Sequence, residues 1–262
     1  MSPDRQHRPR HVRGKSLIPS PAPRQPARIL YVVSEGQVTE RDYCTALNNY
    51  FGLRCAFRIS TSYIRSKGLS PLEVAKRAIS AASDAGEPSG QGADTSPHPL
   101  RQVWALFDRD EHRDVRQAFD ALREHNEAAK ERSALKVEIA FSCPSFDLWL
   151  LLHFQTLTNP QYGSSSQVHE KLRGHPAFER FAVDTSRSKA ITPDRAAQLM
   201  TPGRIETAVR NARALLKACP TQGCSPSAGH TAACDPLCRD PSTDVWSLID
   251  SLGITSTRRQ EG

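Results

Sequence analysis

The stretch RQVWALFDRDEH, Arg101 to His112, constrains the fold more than any other. Val103, Trp104, Ala105, Leu106 and Phe107 form an unbroken apolar run, and Asp108, Arg109, Asp110 and Glu111 follow at once. A short apolar run of this kind reads as a strand covered on both faces. Acids placed directly after it lie at the strand's carboxyl end, where open α/β sheets put their ligands. Two aspartates at i and i+2 both reach one hard cation if the backbone turns between them, and magnesium and manganese prefer such oxygen ligands. The plainer reading is a solvated acidic loop that opens a helix.

The chain has 262 residues and a formal net charge of +7, enough length for one large core or two smaller ones. Residues 1–28 hold seven Lys/Arg and one acid, while the rest carries 28 Lys/Arg against 27 Asp/Glu. The excess of charge therefore sits on an arm. Residues 1–27 also carry six prolines and no apolar periodicity, which predicts a disordered, basic tail. Such an arm either holds phosphate backbones by counterion release or only solubilises the chain. No apolar stretch approaches a membrane span, and no apolar segment follows the basic N-terminus as in a secretory signal. Seven scattered cysteines argue against a disulfide framework. A cytoplasmic protein is expected.

Beyond the tail, Arg28–Val33 predicts a first buried strand, followed by Glu35, Gly36 and Glu40, with Thr39 as the cap of a helix ending near Gly52. Cys55–Tyr63 predicts a second strand, and Ser70-Pro71 opens a helix. A loose loop at 84–100, the Val103–Phe107 strand, a helix at 114–132 and a fourth strand at 135–141 complete the series. Strands alternating with helices imply an α/β fold with a mostly parallel sheet. Ser142–Phe154 is apolar on nearly every side and predicts a buried helix. Asp147 within it requires a cap role, a salt bridge or a metal, and His153 reads as a satisfied core histidine. Helices are expected at 166–173, 193–200, 204–218 and 244–252, the last capped by Ser242-Thr243. The expected organisation is a core at 28–155 and a mainly helical extension at 156–255, interrupted by a Cys-rich insertion at about 219–240.

Two buried strands thus end in acids, Glu35 after the first and Asp108 and Asp110 after the third. If those strands are neighbours, three carboxylates converge, and such a cluster repels itself unless a cation neutralises it. Phosphoryl-transfer sites use one or two such ions. Alternative readings of Asp-x-Asp fit less well. A dehalogenase-type phosphatase carries it after its first strand, a calcium loop needs Gly where Arg113 stands, and a nucleotide-sugar transferase leaves Glu35 unexplained.

SEGQVTERDY at 34–43, VWALFDRDEH at 103–112 and FSCPSFDLWLLLHF at 141–154 together resemble the RloB-like proteins. These are prokaryotic proteins found with restriction-modification and abortive-infection loci, and the likeness spans about residues 28–252. The family is similar to Toprim domains, the magnesium-dependent module of topoisomerases, primases and OLD-type nucleases. The resemblance implies a Toprim-like fold and a Mg2+- or Mn2+-dependent nuclease of DNA or RNA in anti-phage defence. It makes Glu35 an acid/base or metal ligand, gives the metal to Asp108 and Asp110, and adds Asp147 to the site. Glu40 and Glu111 are candidate supporting ligands, and Lys189 in TSRSKAI a candidate phosphate contact or a merely solvated lysine. The chain departs from the family in having Cys143 and Asp147 where Asn and Glu are usual. An ATPase encoded nearby is the partner implied by analogy, since this chain has no Walker motif. The competing reading is a non-catalytic module that binds nucleic acid or such an ATPase. A metal-dependent transferase is a third.

Cys219, Cys224, Cys234 and Cys238 fall within twenty residues, with His230 between them. Four thiols in a segment rich in Gly, Pro and Ser can close around a structural zinc. The plain alternative is a disordered insertion with incidental thiols.

Overall fold

The computed structural model describes residues 26–62, 69–86, 99–132, 134–183 and 186–255. The basic tail to residue 25 and most of the loop expected at 84–100 lie outside them. Five strands, β1 (Arg28–Ser34), β2 (Phe57–Ser62), β3 (Leu100–Asp108), β4 (Val137–Cys143) and β5 (Ser242–Thr243), form one sheet in the order β2-β1-β3-β4-β5. The first three pairings are parallel, and β5 lies antiparallel to β4. Among the described residues there are eight α-helices, in chain order α1 (Thr39–Leu47), α2 (Pro71–Gly86), α3 (Val115–Arg132), α4 (Phe146–Leu152), α5 (Ser166–Arg173), α6 (Pro193–Leu199), α7 (Pro202–Leu215) and α8 (Val245–Leu252). This is the α/β architecture that the strand-helix alternation predicts.

The apolar strands feed two cores by alternation, because successive side chains leave opposite faces of a sheet. Leu30, Val32, Trp104, Leu106 and Ala140 pack beneath α1, α4, α7 and α8. Val33, Val103, Ala105, Phe107, Val137 and Phe141 pack beneath α2 and α3. Each fully buried Leu or Phe contributes about 1.5–3 kcal/mol, so neither face is dispensable. Asp108 shares its parity with Trp104 and Leu106, and it therefore turns toward the α1 and α4 side.

Local chemistry explains several boundaries. Ser70 Oγ accepts from Glu73 N at 3.4 Å while Glu73 Oε2 accepts from Ser70 N at 2.9 Å, a reciprocal capping box that starts α2. Helix α1 runs into a π-helical turn at Asn48–Gly52. There Asn48 exchanges two hydrogen bonds with the backbone of Ile59, at 2.7 and 2.8 Å, and secures edge strand β2. His153 is fully buried and satisfied by Trp149 O at 2.9 Å and Tyr43 Oη at 3.2 Å, as a core histidine should be.

Four expectations are corrected. Ser142 and Cys143 belong to β4 rather than to the following helix, because Ser142 pairs with Asp108 on one side and both residues pair with β5 on the other. Ser242-Thr243 form that short strand β5, Asp244 takes the N-cap position of α8, and Thr243 Oγ1 still accepts from Val245 N at 3.3 Å. Thr39 is the first residue of α1, and its hydroxyl donates to Lys189 O at 3.2 Å rather than capping the helix. The second strand begins at Phe57, since Ala56 adopts a left-handed conformation that ends the preceding turn.

Candidate metal centre

Strand order reverses between β1 and β3, so the connections leaving their carboxyl ends diverge and open a crevice, the usual ligand position in such sheets. Glu35 is the first residue beyond β1 and Asp108 the last of β3. They meet: Asp108 N donates to Glu35 Oε2 at 3.2 Å, and His112 Nε2 lies 2.9 Å from Glu35 Oε1. Beyond Asp108 the backbone stays tied to β4 and its exit, with Arg109 N bonded to Ser142 O and Asp110 N to Pro144 O, each at 2.9 Å. Asp110 has φ +32°. The chain thus turns between the two aspartates, a conformation that Asp tolerates better than most residues.

Two helices bring further acids. Glu40, on the first turn of α1, is buried, and Gly36 gives it room: a Cβ on Gly36 would stand 1.8 Å from Glu40 Oε2. Gly36→Ala is therefore expected to expel the Glu40 carboxylate from the cleft while leaving the fold intact. Titration of a divalent ion, followed by thermal melting, checks this, and the variant should need several-fold more ion for the same shift. Asp147, on the first turn of α4, is buried, and its Oδ2 lies 2.7 Å from both His169 Nε2 and Lys189 Nζ. Glu35, Glu40, Asp108, Asp110, Asp147 and Lys189 all line one open cavity of about 390 Å³, together with Gly36 and Ser145.

Electrostatics divide these acids into two kinds. Burial pushes Glu35 up, partly offset by its bonds to Asp108 N and His112. Burial pushes Glu40 up to about 7, and the charges of Asp147 and Glu35 add to it. Asp108 is raised well above the carboxylate range by burial and then by Glu35, Glu40 and Asp110. Asp110 is raised by burial, with Lys189 opposing. Asp147 is the exception. Burial acts to raise it, but the His169 and Lys189 contacts together hold it below the ordinary range. One atom has no partner at all: Asp108 Oδ1 is buried without a hydrogen bond among the described residues. A clustered, uncompensated set of carboxylate oxygens with one buried oxygen unsatisfied fits a hard divalent cation.

The cleft thus gathers Glu35, Glu40, Asp108, Asp110, Asp147 and Lys189 from four stretches of sequence. Glu111 is exposed on the turn and does not line it. Asp147 takes the salt-bridge option, not the cap: Ser145 holds the N-cap position of α4. Lys189 is the ion-pair partner of a buried acid rather than a purely solvated lysine. Sequence reading passes over His112 and His169. The first stands four residues after Asp108, a usable signal; the second is on α5 with no local mark.

A second cluster lies apart from the cleft. One ligand atom from each of Cys219, Cys224, His230 and Cys234 falls within 4.8 Å of every other, and the set can hold a metal ion such as zinc. Cys238 does not belong to it. A 3-10 turn over Pro236–Cys238 leaves Cys238 exposed, and His230 supplies the fourth donor.

Fold and site together define an α/β protein with an acid-lined cleft at the carboxyl edge of a mostly parallel sheet. The family model described as RloB-like protein matches residues 30–252, and the chain belongs to that family. No curated protein and no solved structure matches the chain. Among the described residues no helix is long and apolar enough to cross a membrane.

Proposed function

We propose that this chain is a metal-dependent nuclease of Toprim type that hydrolyses phosphodiester bonds of DNA or RNA in prokaryotic anti-phage defence. The carrying observation is the buried Asp108 Oδ1, which has no hydrogen bond among the described residues and sits among Glu35, Glu40 and Asp110, carboxylates that burial raises. Glu35, Asp108 and Asp110 would hold Mg2+ or Mn2+, with Glu40 beside them. When bound, such an ion supplies Lewis-acid activation of water and neutralises charge at the phosphate. His112 orients the Glu35 carboxylate, which then serves as ligand or proton acceptor. Asp147 positions Lys189 at the cleft, where its ammonium keeps donors free for a phosphate oxygen. Residues 28–155 form the catalytic core in this reading, and the basic arm adds non-specific attraction for nucleic acid. A cytoplasmic location and an ATPase partner encoded nearby follow from the family's association with defence loci.

The test is cleavage of plasmid DNA and of bulk RNA with Mg2+ or Mn2+, comparing wild type with Glu35→Gln and Asp108→Asn. Cleavage that requires the metal and falls at least about 100-fold in both folded variants is expected. If wild type is silent alone, the neighbouring ATPase is added. Silence there too, or cleavage indifferent to both substitutions, leaves a binding module as the better description.

A further inference from the structure

The Cys-rich segment after α7 carries the strongest chemistry outside the acidic cleft. Cys219 Sγ stands 3.6 Å from Cys234 Sγ, and His230 Nδ1 lies 3.6 Å from the first and 3.4 Å from the second. A disulfide would bring two sulfurs to about 2.05 Å. In a tetrahedral zinc centre, with bonds of about 2.3 Å to sulfur and about 2.05 Å to nitrogen, adjacent donors stand about 3.8 Å (S to S) and about 3.6 Å (S to N) apart. The three separations are close to the edges of that tetrahedron. Cys224 Sγ lies within 4.8 Å of the other three donors, and Thr231 N donates to it at 3.4 Å, as backbone amides do to thiolates in zinc sites. His230 Nε2 is buried without a hydrogen bond among the described residues.

Beyond the donor cluster, the segment is tied mainly by contacts to α3: Asp235 pairs with Arg116 at 2.6 Å, and the Arg239 guanidinium lies over the Phe119 ring at 5.0 Å. Between Leu216 and Val245 no described residue joins the apolar cores except Leu237, which packs at the edge of one. Yet it delivers two elements to the carboxyl edge of the sheet. Asp240 accepts from Gln161 N at 2.9 Å and Tyr162 N at 2.6 Å, and it pairs with Arg109 at 3.4 Å, the residue between Asp108 and Asp110. β5 then pairs with the end of β4. Inside the segment Arg239 bonds Cys234 O at 3.0 Å and pairs with Asp244 at 3.3 Å.

We infer that Cys219, Cys224, Cys234 and His230 bind one structural Zn2+, without Cys238, and that the ion fixes this segment so that Asp240 and β5 close the sheet edge beside Asp108-Arg109-Asp110. The inference stands on donor geometry and does not depend on the nuclease reading. Elemental analysis of reduced, full-length, untagged protein, supplied with zinc and dialysed against metal-free buffer, should find one zinc per chain. Cobalt in its place should give the charge-transfer and tetrahedral d–d bands of a centre with three sulfurs and one nitrogen. Cys238→Ser should retain both signals, and Cys224→Ser should lose the zinc. Should Cys224→Ser fail to fold, the cobalt spectrum of wild type and the behaviour of Cys238→Ser decide the ligand set. Wild type that retains no zinc, or a Cys238→Ser variant that loses it, overturns the assignment. Removing the ion with a strong chelator should speed amide exchange at Gln161, Tyr162 and Asp244. Unchanged exchange at those amides in metal-stripped protein overturns the structural tie.

Discussion

Asp108→Asn will lower metal-dependent cleavage by at least about 100-fold and, without metal, will raise the melting temperature. The substitution keeps the shape of the side chain and removes a charge that burial, Glu35, Glu40 and Asp110 all disfavour. A relief of about 1–2 kcal/mol is expected, or roughly 2–8 °C at this chain length. Its pH dependence has a definite sign. An acid whose folded pKa is raised destabilises the fold above that pKa, and the penalty disappears as pH falls toward the unfolded value. Metal-free wild type should therefore gain stability from pH 8 to about pH 5, Glu40 contributing as it protonates near about 7. Asp108→Asn should flatten this slope. Saturating Mg2+ should reverse it, because an ion that binds only the folded, ionised cluster stabilises most where the cluster is charged. Differential scanning calorimetry of both proteins, with and without Mg2+ and across this pH range, reads the stability changes, and the cleavage assay above reads the rest. A variant less stable than wild type in metal-free buffer would remove the argument for an uncompensated cluster.

Asp147→Asn should do the opposite. This carboxylate is as buried as Asp108, but His169 and Lys189 each stand 2.7 Å from it. Breaking a buried pair leaves charge without compensation, and Lys189 is half-exposed, so the cost falls toward the low end, about 2–3 kcal/mol. Asp147 lies below the ordinary carboxylate range, so its contribution is complete above about pH 4 and is lost as pH falls further. Urea unfolding at pH 7 should show the loss in full, and the difference from wild type should shrink at pH 3. Two acids in one cleft would then shift stability in opposite directions. A shared role as interchangeable ligands predicts the same direction for both.

Much of this was legible in the sequence because short range decides it. The Val103–Phe107 run, the acids behind it and the Glu35 turn are each local, and strand-helix alternation implies a mostly parallel sheet, but only the fold shows that β1 and β3 are neighbours. The rest depends on contacts that sequence distance hides. His169 reaches Asp147 from 22 residues away and Lys189 from 42, and no periodicity announces either meeting. β5 has two residues, too few to carry a pattern, and it exists only because the end of β4 offers an open edge. Among the thiols, spacing admitted Cys238, and only the path of the chain exchanged it for His230.

The core beneath α1 and α4 has a consequence for synthesis. It is assembled from residues as far apart as Leu30 and Ile254, whereas the core beneath α2 and α3 draws mainly on residues up to Cys143. While the chain is still leaving the ribosome, the α2/α3 face can close early. The face that shapes the acid-lined cleft must wait for α8, since Val245, Trp246, Leu248, Ile249 and Leu252 are part of its filling. A chain stopped short of Val245 would present half a sandwich, open to proteases and unable to hold Glu40 and Asp147 in place. If the cleft acts as proposed, it is completed only after the last helix of the sandwich has emerged.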